Sequence, residues 1–125
     1  MNMDELRAYL LGKRGTWEDA PFGPDSLVYK VKSKMFALIP LDTPTVEVVL
    51  KCDPHWAILL RDSYPAVTSA WHFNKRHWNA VRIDGSIPLD EILEMIDHSY
   101  DLVVKNLSRR ERDELAMRQS GDAPL

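Results

Sequence analysis

Between Leu27 and Cys52 the chain sets three segments rich in Val, Ile, Leu, Tyr and Phe almost end to end, over 27–32, 34–39 and 45–52. A tight turn at Lys32-Ser33 separates the first two, and the looser Leu41-Asp42-Thr43-Pro44 separates the next pair. Connections this short cannot carry the crossover that parallel strands need, so the three form an antiparallel meander. A sheet of that kind exposes an apolar face that something must cover. From Pro88 onward, Leu89, Ile92, Leu93, Ile96, Tyr100, Val103 and Leu107 fall on one stripe of a helix about 30 Å long if it runs for roughly twenty residues. That helix lies across one face of the sheet.

The remaining segments fit around this pair. Met3, Leu6, Tyr9 and Leu10 mark a first amphipathic helix that stops at Gly12 or Gly15. Pro21, Gly23 and Pro24 punctuate a connection over 16–24 that has room for a short strand. Asp53-Pro54 starts a second helix, the carboxylate accepting from free backbone N–H groups and proline taking the first helical position; it ends before Tyr64-Pro65. Residues 67–73 and 78–84 read as two more strands, separated by Asn74-Lys75-Arg76-His77 and closed by Asp84-Gly85. Ser108-Arg109-Arg110-Glu111 has the form of a capping box and begins a short terminal helix that frays after Gln119. The expected fold class is α/β in the α+β sense: an antiparallel sheet of five or six strands with helices packed on one face. Residues 1–119 form a single domain, with 120–125 a disordered tail.

Composition narrows the function classes. Cys52 is the only cysteine, so an internal disulfide and a multi-cysteine zinc site are impossible and a reducing, cytoplasmic setting is expected. The N-terminus has acids where a signal peptide would be basic. The apolar run from Met35 to Pro40 is far short of the ~20 residues that cross a membrane, so a soluble protein without a membrane partner is expected. Net charge is -3, yet residues 28–82 hold eight basic and four acidic side chains, leaving both flanks acidic. A local anion-binding face in the middle block and an ordinary solvated surface both fit that balance.

No catalytic constellation stands out. His55, His72, His77 and His98 form no H-E-x-x-H or H-x-x-x-H pair. Cys52 follows strand residues and reads as a small packed side chain rather than a nucleophile. The five glycines are too scattered to cradle phosphate. Asp90, Glu91, Glu94, Asp97 and Asp101 lie mostly off the apolar stripe of the long helix and read as a solvated face. A binding role without catalysis, and without metal or cofactor, is therefore expected.

Strand parity is more informative. Side chains alternate faces along a strand, so Val46, Val48 and Leu50 point to the core while Glu47, Val49 and Lys51 point away. Tyr29 and Val31 alternate with Lys30 and Lys32, and Val81 and Ile83 with Trp78, Ala80 and Arg82. One face then collects Lys30, Lys32, Lys51, Arg82 and Trp78. Cations interleaved with an aromatic suit a phosphate backbone and a base or sugar surface. Alternatively Trp78 packs into a minor core beneath the 74–77 loop, as tryptophans are usually well buried.

At these residues the chain resembles the MmcQ/YjbR family of small bacterial proteins. The matching words include Pro21-Phe22-Gly23, Val28-Tyr29-Lys30-Val31, Lys34-Met35-Phe36-Ala37, Leu50-Lys51-Cys52-Asp53-Pro54, Leu60-Arg61, Tyr64-Pro65, His77-Trp78-Asn79 and Ser99-Tyr100-Asp101-Leu102-Val103, in family order over about residues 5–110. The resemblance implies a CyaY-like, double-wing arrangement and DNA as the partner, since members are commonly named as DNA-binding proteins. Ser33 stands where the family often has glycine, and Ser69-Ala70-Trp71 replaces the usual Pro-Gly-aromatic. Iron handling, which a frataxin-like fold would suggest, is not expected, because Asp4 and Glu5 are the only acids of the first helix. The expected DNA contacts are Lys30, Lys32, Lys34, Lys51, Lys75, Arg76 and Arg82 to phosphates, with His77, Trp78 and Asn79 nearby and little sequence preference. The competing expectation is a protein-interaction module that uses the 72–78 segment on a partner not identified by the sequence.

Overall fold

Short turns and a single covering layer of helices are what a computed structural model of the chain displays; it describes residues 1–70 and 73–121, with side chains through Met117. The elements run α1 (Met3–Leu11), β1 (Thr16–Asp19), β2 (Ser26–Val31), β3 (Lys34–Pro40), β4 (Glu47–Lys51), α2 (Pro54–Ser63), β5 (Val67–Ser69), β6 (Trp78–Arg82), α3 (Leu89–Lys105) and α4 (Arg109–Gly121). The strands form one sheet in the order β1-β2-β3-β4-β6-β5, antiparallel at every pairing. The fold is thus α+β with six strands. The expected strand over 67–73 is shorter, ending at Ser69, and its Trp71 and His72 lie outside the described residues. The terminal helix is longer than expected and continues through Gly121; residues 122–125 of the expected tail lie outside the described residues.

Parity places Tyr29, Val31, Val48, Leu50, Val67 and Val81 under the helices, where they join Leu6, Leu10, Ala57, Leu60, Ile92, Ile96 and Val103 in the main core. The opposite face carries a second, smaller cluster of Val28, Leu38, Val49, Ala70 and Ala80, with Met35, Phe73 and Trp78 packed against it. One strand breaks the alternation. Register shifts at Tyr29/Lys30, so that Tyr29 faces Ala37 while Lys30 faces Met35, and the extra residue Phe36 bulges from β3. A bulge lets two consecutive residues share a side, and Phe36 and Ala37 both enter the main core. Phe36 meets Tyr100 of α3 edge to face, 5.5 Å between ring centres.

The bulge also leaves a carbonyl in need of a donor. Ser99, fully buried on α3, supplies it: its hydroxyl donates to Phe36 O at 2.6 Å and accepts from the Lys51 N–H at 2.9 Å. One side chain therefore ties α3 to two strands. The buried residues of α3 are Ile92, Met95, Ile96, Ser99 and Val103, so Ile92, Ile96 and Val103 face inward as expected, while Met95 and Ser99 stand in for Leu89 and Leu93. Leu89 is half exposed and Leu93 only partly covered, because the helix turns its Met95 and Ser99 side toward the bulge.

Helix ends follow local chemistry. Asn2 and Glu5 form a full capping box on α1. Asp53 caps α2 by accepting from the His55 and Trp56 N–H groups at 3.1 and 3.2 Å. At α4 the expected box is half formed. Glu111 N donates to Ser108 Oγ at 3.1 Å, but the Glu111 carboxylate accepts from the N–H and hydroxyl of Ser33 instead, both at 3.0 Å. In the two-residue β2–β3 turn the positive φ, +54°, belongs to Lys32 rather than Ser33, so the serine sits where a side chain costs little. Gly15, at φ +72°, lets α4 dock: a Cβ there would lie 2.5 Å from Leu115 Cδ1.

The acids of α3 are more than a solvated face. Tyr9 donates to Asp97 at 2.6 Å and Lys13 pairs with the same carboxylate, and Tyr64 donates to Glu91 at 2.6 Å. His98 Nε2 accepts the Asp53 N–H at 3.0 Å, and its ring lies edge-on to Trp56. Thus α3 holds α1 and both ends of α2.

Two outcomes are expected. Ile96→Ala costs about 2–5 kcal/mol, as for other fully buried aliphatics, while Leu93→Ala costs clearly less; Ser99→Ala costs about 1–3 kcal/mol by leaving buried partners unsatisfied. Urea melts of the three variants measure this. The second concerns pH. Burial lowers the His98 pKa, against the opposing pull of Asp53, Asp101 and Glu94, so as pH falls the unfolded chain takes up that proton first. Stability from neutral His98 is then complete above about 6.5, the ordinary value, and is lost as pH falls toward the folded one. Melts between pH 7.5 and 5, on this order of range for a histidine, should show wild type losing more stability than His98→Gln.

Candidate nucleic-acid interface

The ten expected contact residues do not share one surface. Lys30, Lys51, Trp78 and Arg82 do lie on the open face, Lys51 opposite Trp78 and Arg82 opposite Glu47 in the β4–β6 register. Two of the three cations are already engaged. Lys30 pairs with Asp19 at 3.4 Å and sits 5.0 Å above the Trp17 ring, and Arg82 pairs with Asp84 at 3.0 Å. The Asp84 carboxylate, bonded to Ser86 and Arg82, is held well below the usual carboxylate range. The centre of the face is the apolar second cluster, so its positive charge is discontinuous. Trp78 is half-buried there, its ring 5.3 Å from Phe73.

Lys32 and Lys34 belong elsewhere. The turn swings Lys32 to Glu114 of α4 at 3.1 Å, and Lys34 donates to Asn106 O at 2.8 Å. Asn79 is 2 % exposed. It faces α2, because strand parity puts it on the covered side, donating to Ala57 O at 3.3 Å and accepting from Arg61 at 2.8 Å. It is a support rather than a contact.

What remains gathers at one corner, where α2 meets the 74–77 turn. Cys52 N donates to His77 O at 2.7 Å, which sets the end of β4, with Lys51, beside this turn. Asn74 organises it, accepting from Arg76 N through its side chain and from His77 N and Trp78 N through its carbonyl, all at 3.0 Å. Lys75 and Arg76 are exposed. With Pro54, His55, Ile58 and Arg61 of α2 they line a cleft of about 230 Å³. Arg61 is the residue that sequence reasoning left without a role. Its only signal was helical spacing, since Pro54, Ile58 and Arg61 recur at i, i+4 and i+7 on one side of α2. Among the described residues, Lys51, Arg61, Lys75 and Arg76 form no ion pair.

The other side of α2 is acidic. Asp53, Glu94, Asp97 and Asp101 line a groove of about 530 Å³ with Trp56 and His98. Among the described residues no three His, Cys, Asp or Glu side chains are placed to hold a metal ion. Cys52 is 4 % exposed, and burial, with Asp53 nearby, pushes its thiol up to about 12. No helix of the described residues is long and apolar enough to cross a membrane.

An α+β domain on a six-stranded antiparallel sheet, helical on one face and open on the other, is the class this geometry defines. A family model described as YjbR matches residues 11–102, and the chain belongs to the YjbR family. It is 32 % identical over 112 residues to the Escherichia coli K12 protein YjbR, covering 90 % of this chain and 95 % of that one. It is 33 % identical over 92 residues to YbdF of Escherichia coli O157:H7, covering 74 % and 75 % respectively. Among solved structures it is similar to a Deinococcus radiodurans protein with a domain described as DUF419, at TM-score 0.86 and 34 % identity over 92 % of this chain and 88 % of that one. A Pseudomonas syringae protein aligns at TM-score 0.71 and 28 % identity over 82 % of this chain and 98 % of that one.

The support role of Asn79 is testable. Asn79→Leu should leave Arg61 without its 2.8 Å acceptor and lower stability by about 1–3 kcal/mol, the scale of a lost buried charge-assisted hydrogen bond, measured by urea melts. Arg61→Met should cost a similar amount, because it strips the buried Asn79 Oδ1 of its donor while only Nδ2 keeps its bond to Ala57 O.

Proposed function

We propose that this chain is a non-enzymatic nucleic-acid-binding domain that contacts phosphates through the corner formed by Lys51, Arg61, Lys75 and Arg76. The observation that supports this best is the absence of ion pairs at these four among the described residues, while Lys30, Lys32 and Arg82 each have a carboxylate partner. A cation already neutralised by a neighbouring carboxylate releases few counterions when a phosphate approaches, whereas an unpaired one contributes fully. Half-buried Trp78, opposite Lys51, offers a ring edge to a sugar or base. With lysines and arginines in place of a recognition helix, binding is weak to moderate and indifferent to sequence. This reading requires the acidic groove of α3 to face away from the strand.

Fluorescence anisotropy with a short DNA duplex at several salt concentrations tests the proposal. Replacing Lys75 and Arg76 together by alanine should flatten the plot of log affinity against log salt by about 1–2, at roughly 0.9 per phosphate contact. Replacing Lys30 and Arg82 together should leave that slope nearly unchanged. No binding by micromolar protein at low salt would remove the nucleic-acid reading. A polypeptide partner is the second reading, favoured by a groove of about 470 Å³ that Phe22, Leu38, Pro40 and Phe73 line with Phe22 69 % exposed. It expects Phe22→Ser to abolish association with that partner while DNA binding stays negligible.

A further inference from the structure

The cleft between α2 and the 74–77 turn is built differently from a solvated basic surface. Arg61 is fixed in it: Nη1 donates to Asn79 Oδ1 at 2.8 Å and to Lys75 O at 3.1 Å, and Asn79 is itself buried and held by Ala57 O. With Nη1 spent on the protein, the Nε and Nη2 edge is what Arg61 can offer a ligand. That edge is the fork that matches two oxygens of a phosphate. Lys75 and Arg76 bring two more cations from a turn that Asn74 pins, and His55 adds a ring donor or acceptor. Among the described residues no carboxylate lines the cleft, and Pro54 with the half-exposed Ile58 forms an apolar wall.

Charge selects the ligand. Three positive charges around one concavity, Arg61 held in place and Lys75 and Arg76 exposed beside it, are poorly balanced by the single charge of a phosphodiester. A phosphomonoester carries about -1.5 to -2 near neutral pH and has three terminal oxygens to share among them. We propose that this cleft is a phosphomonoester site, which takes the terminal phosphate of a nucleic-acid strand and sets the adjoining sugar against Ile58. The terminal-phosphate part rests on the nucleic-acid reading above; the phosphomonoester chemistry does not. Arg61 grips the phosphate, Lys75 and Arg76 close over it, and Asn79 positions Arg61 from behind.

The test has two arms. In the first, wild type is titrated with one oligonucleotide in 5′-phosphorylated, 3′-phosphorylated and unphosphorylated forms at a single salt concentration. At least one phosphorylated form should bind about tenfold more tightly or better, the scale of one charge-assisted hydrogen bond. Arg61→Lys, which keeps charge but loses the fork, and Arg76→Gln, whose exposed side chain lies outside the Asn79 network, should each erase most of that preference. Equal affinity for all three forms overturns the terminal-phosphate site and leaves the nucleic-acid reading standing. If no form binds, the nucleic-acid reading falls, and the second arm decides the cleft alone. Inorganic phosphate is titrated into 15N-labelled protein while the Arg61 Nε–H and the Lys75 and Arg76 amides are followed. A saturable shift confined to those groups, absent in Arg76→Gln, supports the site; no shift, or shifts spread over all the lysine- and arginine-rich surface, overturns it.

Discussion

The hydroxyl of Ser99 is the contact on which the rest of the molecule is indexed. A β-bulge at Phe36 buys two adjacent core side chains on one strand at the cost of a carbonyl turned out of the ladder, and buried carbonyls without donors are costly. Ser99 satisfies that carbonyl and the Lys51 N–H together, which favours the rotation in which α3 sits over β3 and β4. Everything that α3 holds is fixed with it. Asp97 receives α1 through Tyr9 and Lys13, Glu91 receives the end of α2 through Tyr64, and His98 receives its start through Asp53 N. Both ends of α2, the helix that carries Arg61, are thus tied to the helix that Ser99 anchors.

Electrostatically α2 is a divider. On one side lie Asp53, Glu94, Asp97 and Asp101, and on the other Arg61, Lys75 and Arg76. A polyanion approaching such a molecule is drawn to one side and repelled from the other, which orients it before any contact forms. Apart from Lys51, the open sheet face takes little part in this, because Asp19 and Asp84 pair with Lys30 and Arg82 and its middle is apolar. The relatives in Escherichia coli, Deinococcus radiodurans and Pseudomonas syringae share the family domain or its fold, and a fold by itself hosts many functions.

Much of this architecture is legible in the order of residues along the chain. Turn lengths dictate an antiparallel meander, period two sorts Val48 and Leu50 from Val49 and Lys51, and Asp53-Pro54 announces α2. These are local signals, carried by neighbours in the chain, and they survive folding because a strand or a cap is made by the residues beside it. The long helix is legible in extent but not in rotation. One of its inward residues, Ser99, is polar, and polarity at a core position is explained only by the bulge it serves.

What the sequence alone determined, then, is the identity of the elements and the face to which most strand residues point. Tertiary structure decided which cations are paired with carboxylates and which, among the described residues, are not. Lys32 is neutralised by Glu114, 82 residues away along the chain, Lys30 by Asp19 across a strand pair, and Asn79 disappears beneath α2 to hold Arg61. Ion pairing and burial depend on side chains brought within a few ångströms by distant segments, and no periodicity in the chain encodes those distances.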